Sequence, residues 1–184
     1  MKSTAEFDLV VFGASGYTGR LVAEYLAQAY AGDKDLRWAM AGRDLAKLAA
    51  VRDEIGAPAD IPLLVADTGD AASLRALVAR TRVVVTTVGP YQLYGEPLVA
   101  ACAEAGVDYV DLCGEPAWMR KMIDAYGQAA QASGARIVFS CGFDSIPFDL
   151  GVFFLQQAAK ARFGVPLTRI KGRVRQLKGT FSGG

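Results

Sequence analysis

Three glycines, Gly13, Gly16 and Gly19, stand between an apolar run and a helical pattern in the stretch VVFGASGYTGRLVAEYL (10–26). The run FDLVVF (7–12) is too apolar to face water on either side and reads as a buried strand. Residues 17–31 place Leu21, Val22, Tyr25, Leu26 and Ala29 on one helical stripe. A strand that turns through glycines straight into a helix constrains the fold severely. The helix must pack back on the strand, and its unpaired N–H groups then face the turn. The spacing is G-x-x-G-x-x-G, one residue longer in its first gap than the G-x-G-x-x-G of dinucleotide-binding turns. Gly13 permits the tight turn, Gly16 lets backbone N–H groups approach a pyrophosphate, and Gly19 lets the helix lie close to the sheet. Ser15 and Thr18 add hydroxyl donors, with Tyr17 between Gly16 and Thr18 in the same loop.

The same unit recurs along the chain. LRWAMAG (36–42) is a second strand, followed by a helix over 44–55. IPLLVAD (61–67), DAASLRALVART (70–81) and RVVVTTVG (82–89) repeat the unit and begin the next. A helix around EPLVAACAEAG (96–106), the short strand VDYVDL (107–112), a helix from Glu115 to Ser133 and the strand ARIVFSCG (135–142) follow. Six strands separated by helices predict an α/β fold with a doubly wound parallel sheet in the order 3-2-1-4-5-6. Such a sheet collects its ligands in one crevice at the carboxyl ends of the strands.

The last segment breaks the pattern. TRIKGRVRQL (168–177) alternates Arg169, Lys171, Arg173 and Arg175 with Ile170, Gly172 and Val174. A period of two marks a half-buried strand. The dinucleotide-binding domain is therefore expected to span residues 1–164, and residues 165–184 to be the first strand of a second α+β domain.

Composition excludes several functions. Twenty Lys and Arg against 19 Asp and Glu leave a net charge of +1, which gives no general electrostatic reason to expect nucleic acid. There is no histidine, no metal-ligand spacing and no C-x-x-C, so no metal site is expected. Cys102, Cys113 and Cys141 read as reduced thiols. No run approaches the length of a membrane span and no leader is evident, so a cytoplasmic location is expected, with peripheral contact to a membrane left open.

Residues at the strand ends refine the reading. The second strand ends in AGRD, where NAD-preferring proteins usually carry an acid for the ribose 2′-hydroxyl. Arg43 occupies that region, and its guanidinium suits a 2′-phosphate, so NADP is favoured over NAD. Asp44 reads as the N-cap of the next helix. Asp67, ending the third strand, could reach the adenine edge or cap the following turn. Gly89, Pro90 and Tyr91 close the fourth strand on the same crevice, and Asp144 and Ser145 face its mouth after the sixth. The Tyr-x-x-x-Lys pair of short-chain dehydrogenases occurs only as Tyr30…Lys34, at the far end of the first helix. No histidine is present to activate Cys113 or Cys141, and Cys102 lies within an apolar helix.

GASGYTG, the AGR turn, VGPYQLYGEPLVAACAEAGVDYVDLCGE (88–115) and GFDSIPFDLG (142–151) together resemble the saccharopine dehydrogenase-like oxidoreductases. The likeness is strongest to the branch containing the mycobacterial trans-acting enoyl reductases. The resemblance implies a Rossmann domain followed by a mixed-sheet domain that dimerises and closes over a small-molecule or lipid-like substrate. By the same resemblance, Gly13 to Gly19, Arg43 and the Gly89–Tyr91 turn contact the cofactor. Tyr94, Glu115, Asp144 and Ser145 border the substrate, and no catalytic acid or base is assigned. The implied reaction is NADP-dependent hydride transfer to a carbon–carbon double bond of a lipid precursor. Saccharopine-type amino-acid reduction and a non-catalytic NADP-sensing or scaffold role remain the alternatives.

Overall fold

Successive side chains of β1 (Phe7–Phe12) point to opposite faces of the sheet, and both faces are apolar. Val10 and Phe12 enter one core with Ala39, Ala41, Val84 and Tyr109, whereas Val11 enters a second with Trp38 and Met40. Two cores on one strand require a layer of helices on each side. In the computed structural model, which describes residues 5–33, 35–176 and 178, the chain supplies both layers.

α1 (Tyr17–Ala29) and α2 (Leu45–Glu54) cover one face through Ala23, Leu26 and Leu48. α3 (Ala71–Val78), α5 (Glu96–Ala105) and α6 (Pro116–Ser133) cover the other through Leu74, Leu77, Leu98, Cys102, Trp118 and Met122. Between these helices run β2 (Trp38–Gly42), β3 (Leu63–Val65), β4 (Thr81–Thr86), β5 (Asp108–Val110) and β6 (Ile137–Val138). The six strands are parallel in the order β3-β2-β1-β4-β5-β6, with Leu9 opposite Trp38 on one side and Val83 on the other. The expected Rossmann-type arrangement is the one observed. Asp44 caps α2 as expected, its carboxylate accepting from Lys47 N at 3.0 Å. Ion pairs of Asp8 with Arg37 and Arg82, and of Asp108 with Arg136, lie at the amino ends of the strands. The carboxyl ends are left to the glycine loop.

The structure corrects the sequence reading in four places. First, α1 buries only part of the expected stripe, Leu26 fully and Val22 in part. Leu21 and Tyr25 are exposed, by 43% and 63%, and the residues against the sheet are Gly19, Ala23 and Leu26. Small residues let α1 approach the sheet closely, so size and not apolarity selects its inner face. Second, a single turn of helix, α4 (Tyr91–Tyr94), follows β4 where the sequence indicates only a turn.

Third, β6 is two residues long, because beyond Val138 the backbone N–H groups of Ser140 and Cys141 turn to Asp111 instead of a strand ladder. Fourth, residues 168–176 form no strand, and Val174 is 54% exposed. A strand exists only with a hydrogen-bonded neighbour, and no described residue pairs with this segment. Leu177, the GTFSGG run at 179–184 and Lys34 lie outside the described residues. α7 (Ile146–Phe163) ends on Gly164, and the Gln156 amide then clamps Leu167, bonding its N–H at 2.8 Å and its C=O at 3.0 Å.

Candidate functional site

The chain leaves β1 at Gly13, whose φ of +92° is rarely adopted by residues with a side chain. The turn is fixed from both flanks. Gly13 N and Ala14 N both donate to Ala41 O of β2, at 2.9 and 3.1 Å. From the β4 side, Thr87 donates its N–H to Phe12 O at 3.0 Å and its hydroxyl to Gly13 O at 3.3 Å. Gly19, in the first turn of α1, rests on the Gly13 carbonyl, which a Cβ at this position would overlap.

Gly16 differs from both. A Cβ there would meet only Gly13 O, at 3.3 Å, so the fold itself makes little demand for glycine. The space it leaves fits a cradle for a group that comes from outside the protein. Gly16 is also the N-cap of α1, which has no side-chain cap and no acidic residue in its first turn. The N–H groups there keep their partial positive charge uncompensated, as pyrophosphate binding requires.

Above the ends of β1, β2 and β4 lies a cleft of ≈ 300 Å³. Gly13, Ser15 and Gly16 line it from the loop, Gly42 and Arg43 from the end of β2, and Thr68 from beyond β3. Thr87, Val88, Gly89 and Tyr94 complete it beyond β4. Arg43 is exposed and makes no ion pair among the described residues. Asp44, the nearest acid in sequence, is engaged as the α2 cap.

Other expected site residues lie outside the lining of this cleft. Tyr17 is 64% exposed and Thr18 is half-buried on the first turn of α1, outside the cleft lining. Asp67 serves its own turn, its carboxylate accepting from Gly69 N at 2.8 Å, and Thr68 faces the cleft instead. Pro90 is the N-cap of α4. The Tyr91 ring is turned away from the cleft into the core, 5.7 Å from Trp118. Its hydroxyl donates to Thr86 O at 3.2 Å, and burial pushes its pKa up. Glu115 accepts from Tyr91 N and Gln92 N, both at 2.8 Å, and so holds α4 in place. Asp144 and Ser145 sit on the turn before α7, with Ser145 as its N-cap, outside the cleft lining.

Beneath these loops lies a buried carboxylate that the sequence reading passed over. Asp111, 3% exposed, accepts from Tyr109 Oη (2.8 Å), Cys113 N (3.0 Å) and Ser140 N (2.9 Å). An acid ending a buried strand was the available signal. Thr68, Thr87 and Val88 were also passed over, although Thr68 adjoins Asp67, Val88 adjoins Gly89 and Thr87 lies two residues before Gly89.

The model of the saccharopine dehydrogenase NADP-binding domain matches residues 9–138, which include the glycine loop, Arg43, Tyr94 and Glu115. The chain belongs to this family. A Mycobacterium tuberculosis protein provisionally named a trans-acting enoyl reductase is 52% identical over 180 residues, 97% of this chain and 42% of its own length. A Mycobacterium ulcerans protein named trans-acting enoyl reductase is 51% identical over 155 residues, 84% of this chain and 36% of its own. The chain thus spans less than half the length of these relatives. Among solved structures, apo saccharopine dehydrogenase (L-Glu forming) from Saccharomyces cerevisiae superposes with a TM-score of 0.62 at 19% identity. That superposition covers 85% of this chain and 32% of the yeast one, and it shows the shared fold. In this saccharopine dehydrogenase-type domain, the residues lining the cleft fit a dinucleotide at the phosphate-binding loop. Among the described residues, no helix is long and apolar enough to cross a membrane.

Proposed function

We propose that the chain is the NADP(H)-binding part of an oxidoreductase that reduces a carbon–carbon double bond in a lipid precursor. The observation that carries the cofactor assignment is the Arg43 guanidinium, without an ion pair among the described residues, on the rim of the glycine-loop cleft. The N–H groups of the Gly13–Gly16 loop and of the first turn of α1 would hold the pyrophosphate, with Ser15 beside it. Arg43 would hold the 2′-phosphate, which NADH lacks. The cofactor, when bound, supplies the hydride. The reduced bond is assigned from the relatives named trans-acting enoyl reductases.

A charge-assisted Arg–phosphate contact contributes about 1.5–3 kcal/mol, or roughly ten- to hundredfold in affinity. Arg43→Ala is therefore expected to weaken NADPH binding by that factor and to leave NADH binding unchanged, as read by calorimetric titration. Equal loss for both cofactors, or for neither, would remove the 2′-phosphate assignment.

The substrate is proposed to be closed in by a second domain beginning near residue 165, through which the protein forms a homodimer. The outer face of α7 supports this reading. Phe153, Phe154 and Phe163 are 60–69% exposed, and Ala159 is the one buried residue of that helix. The 184-residue chain is accordingly expected to bind NADPH without oxidising it when offered an α,β-unsaturated acyl thioester. Hydride transfer needs the acceptor held about 3–3.5 Å from the nicotinamide, and the cleft offers one wall for that. Sustained loss of NADPH absorbance would place the whole substrate site within these residues.

A further inference from the structure

The wall of the cleft beyond β4 is a preorganised surface. α4 is a single turn, yet it is pinned at several points. Glu115 receives the N–H groups of Tyr91 and Gln92, and Tyr91 is anchored in the core through Trp118 and Thr86 O. Leu93 N and Tyr94 N both donate to Pro90 O at 3.1 Å. Gly95 lies so close to the indole that a Cβ would come within 2.6 Å of the Trp118 ring. What this scaffold presents to the cleft is Tyr94, which remains 47% exposed.

The lining of the cleft then identifies what Tyr94 meets. The same space is lined by Arg43 and Thr68, at the ends of β2 and β3, and by the phosphate-binding loop. If Arg43 holds the 2′-phosphate, the nucleoside beside it is the adenosine. Tyr94 lines that compartment, whereas Asp144 and Ser145, on the turn before α7, do not.

We propose that Tyr94 is the adenine-stacking residue of this cleft, in place of the substrate-side role that the resemblance implies. An aromatic ring held by a rigid turn offers a stacking face at little conformational cost, and loss of a base–aromatic stack is readily measured. The inference rests on the reading of the cleft as an NADP(H) site.

The test compares Tyr94→Ala and Tyr94→Phe with the unaltered protein. Calorimetry would use NADPH and its nicotinamide-free fragment, 2′-phospho-ADP-ribose. Tyr94→Ala is expected to weaken both ligands by the same factor, about tenfold. Tyr94→Phe, which keeps the ring, is expected to stay within about twofold of the unaltered protein for both and to guard against a folding defect in the alanine variant. Retained affinity for the fragment alongside weakened NADPH binding in Tyr94→Ala would move the ring to the nicotinamide end and overturn the proposal. So would unchanged affinity for both, or a loss in Tyr94→Phe as large as in Tyr94→Ala. If the unaltered protein binds neither ligand, the cofactor reading itself fails. That outcome is separate, because Arg43→Ala would then also have no effect.

Discussion

Gly19→Ala is expected to lower the stability of the fold by about 2–4 kcal/mol, against the usual sign of such a change in a helix. Replacing a helical glycine with alanine ordinarily stabilises by about 1 kcal/mol, because the unfolded chain loses freedom. Gly19 lies in the first turn of α1, where that gain would apply. It is outweighed because the added Cβ would overlap the Gly13 carbonyl and stand 2.8 Å from Thr87 Oγ1. The principal obstacle is backbone. Gly13 is itself held by Ala41 O and Thr87, so neither the strand end nor the turn can yield separately. α1 would have to lift from the sheet, uncovering Ala23 and Leu26.

Gly16→Ala makes the complementary prediction. Its Cβ would meet one oxygen at 3.3 Å, and its backbone, at φ −84° and ψ 169°, is extended and open to any residue. Urea unfolding is expected to move by less than about 1 kcal/mol. NADPH affinity is expected to fall about a hundredfold, because the methyl group occupies the approach of the pyrophosphate to two or more N–H donors. The pair separates a glycine required by packing from one required by a ligand. A stable Gly19→Ala protein would refute the packing assignment, and a Gly16→Ala protein that binds NADPH normally would remove the loop from the cofactor site.

The glycine loop was legible in sequence because each of its requirements is local. A turn, a close approach and a helix start leave their mark within seven residues. Sheet order followed from the repetition of strand and helix, and Arg43 from its position one residue past a strand end. The inner face of α1 was not legible in the same way. Apolar periodicity ranked Leu21 and Tyr25 above Gly19 and Ala23, while the distance between helix and sheet is set by the smallest residues in the contact. The two tyrosines of QLY and its preceding residue pose the same problem. Tyr91 and Tyr94 are three residues apart on one turn, and nothing in their spelling says which is buried. Trp118, Glu115 and Thr86 decide it, from 27, 24 and 5 residues away in sequence. The alternating segment at 168–177 is the converse case. Its period of two describes a strand, but strand formation depends on a partner that the pattern cannot supply.

Asp111→Ala is expected to destabilise the fold by about 3–5 kcal/mol, because one carboxylate serves two buried donors and a third that is half-buried. Its removal leaves Cys113 N, Ser140 N and the Tyr109 hydroxyl without their acceptor, and each stranded group costs about 1–3 kcal/mol. The damage would spread toward the cleft. Cys113 and Ser140 belong to the two loops that Asp111 ties together, and Glu115, two residues beyond Cys113, holds α4. Asp111→Asn retains an oxygen for both N–H groups and presents its NH2 to a tyrosine hydroxyl able to accept, so it is expected to cost less than about 1.5 kcal/mol.

The charge adds a pH dependence. Burial pushes the Asp111 carboxyl above its ordinary pKa, although the bonds from Cys113 N, Tyr109 and Ser140 N oppose the shift. A carboxyl with a raised folded pKa stabilises the fold below the ordinary carboxylate range, and that contribution is lost as pH rises through the folded value. The stability of the unaltered chain relative to Asp111→Asn should therefore be greatest near pH 4 and decline toward pH 8. Urea midpoints of the three proteins at those two pH values provide the measurement. An alanine variant within about 1 kcal/mol of the unaltered chain would show that these loops hold together without Asp111. An aspartate–asparagine difference that does not change with pH would show that the carboxyl carries no burial penalty.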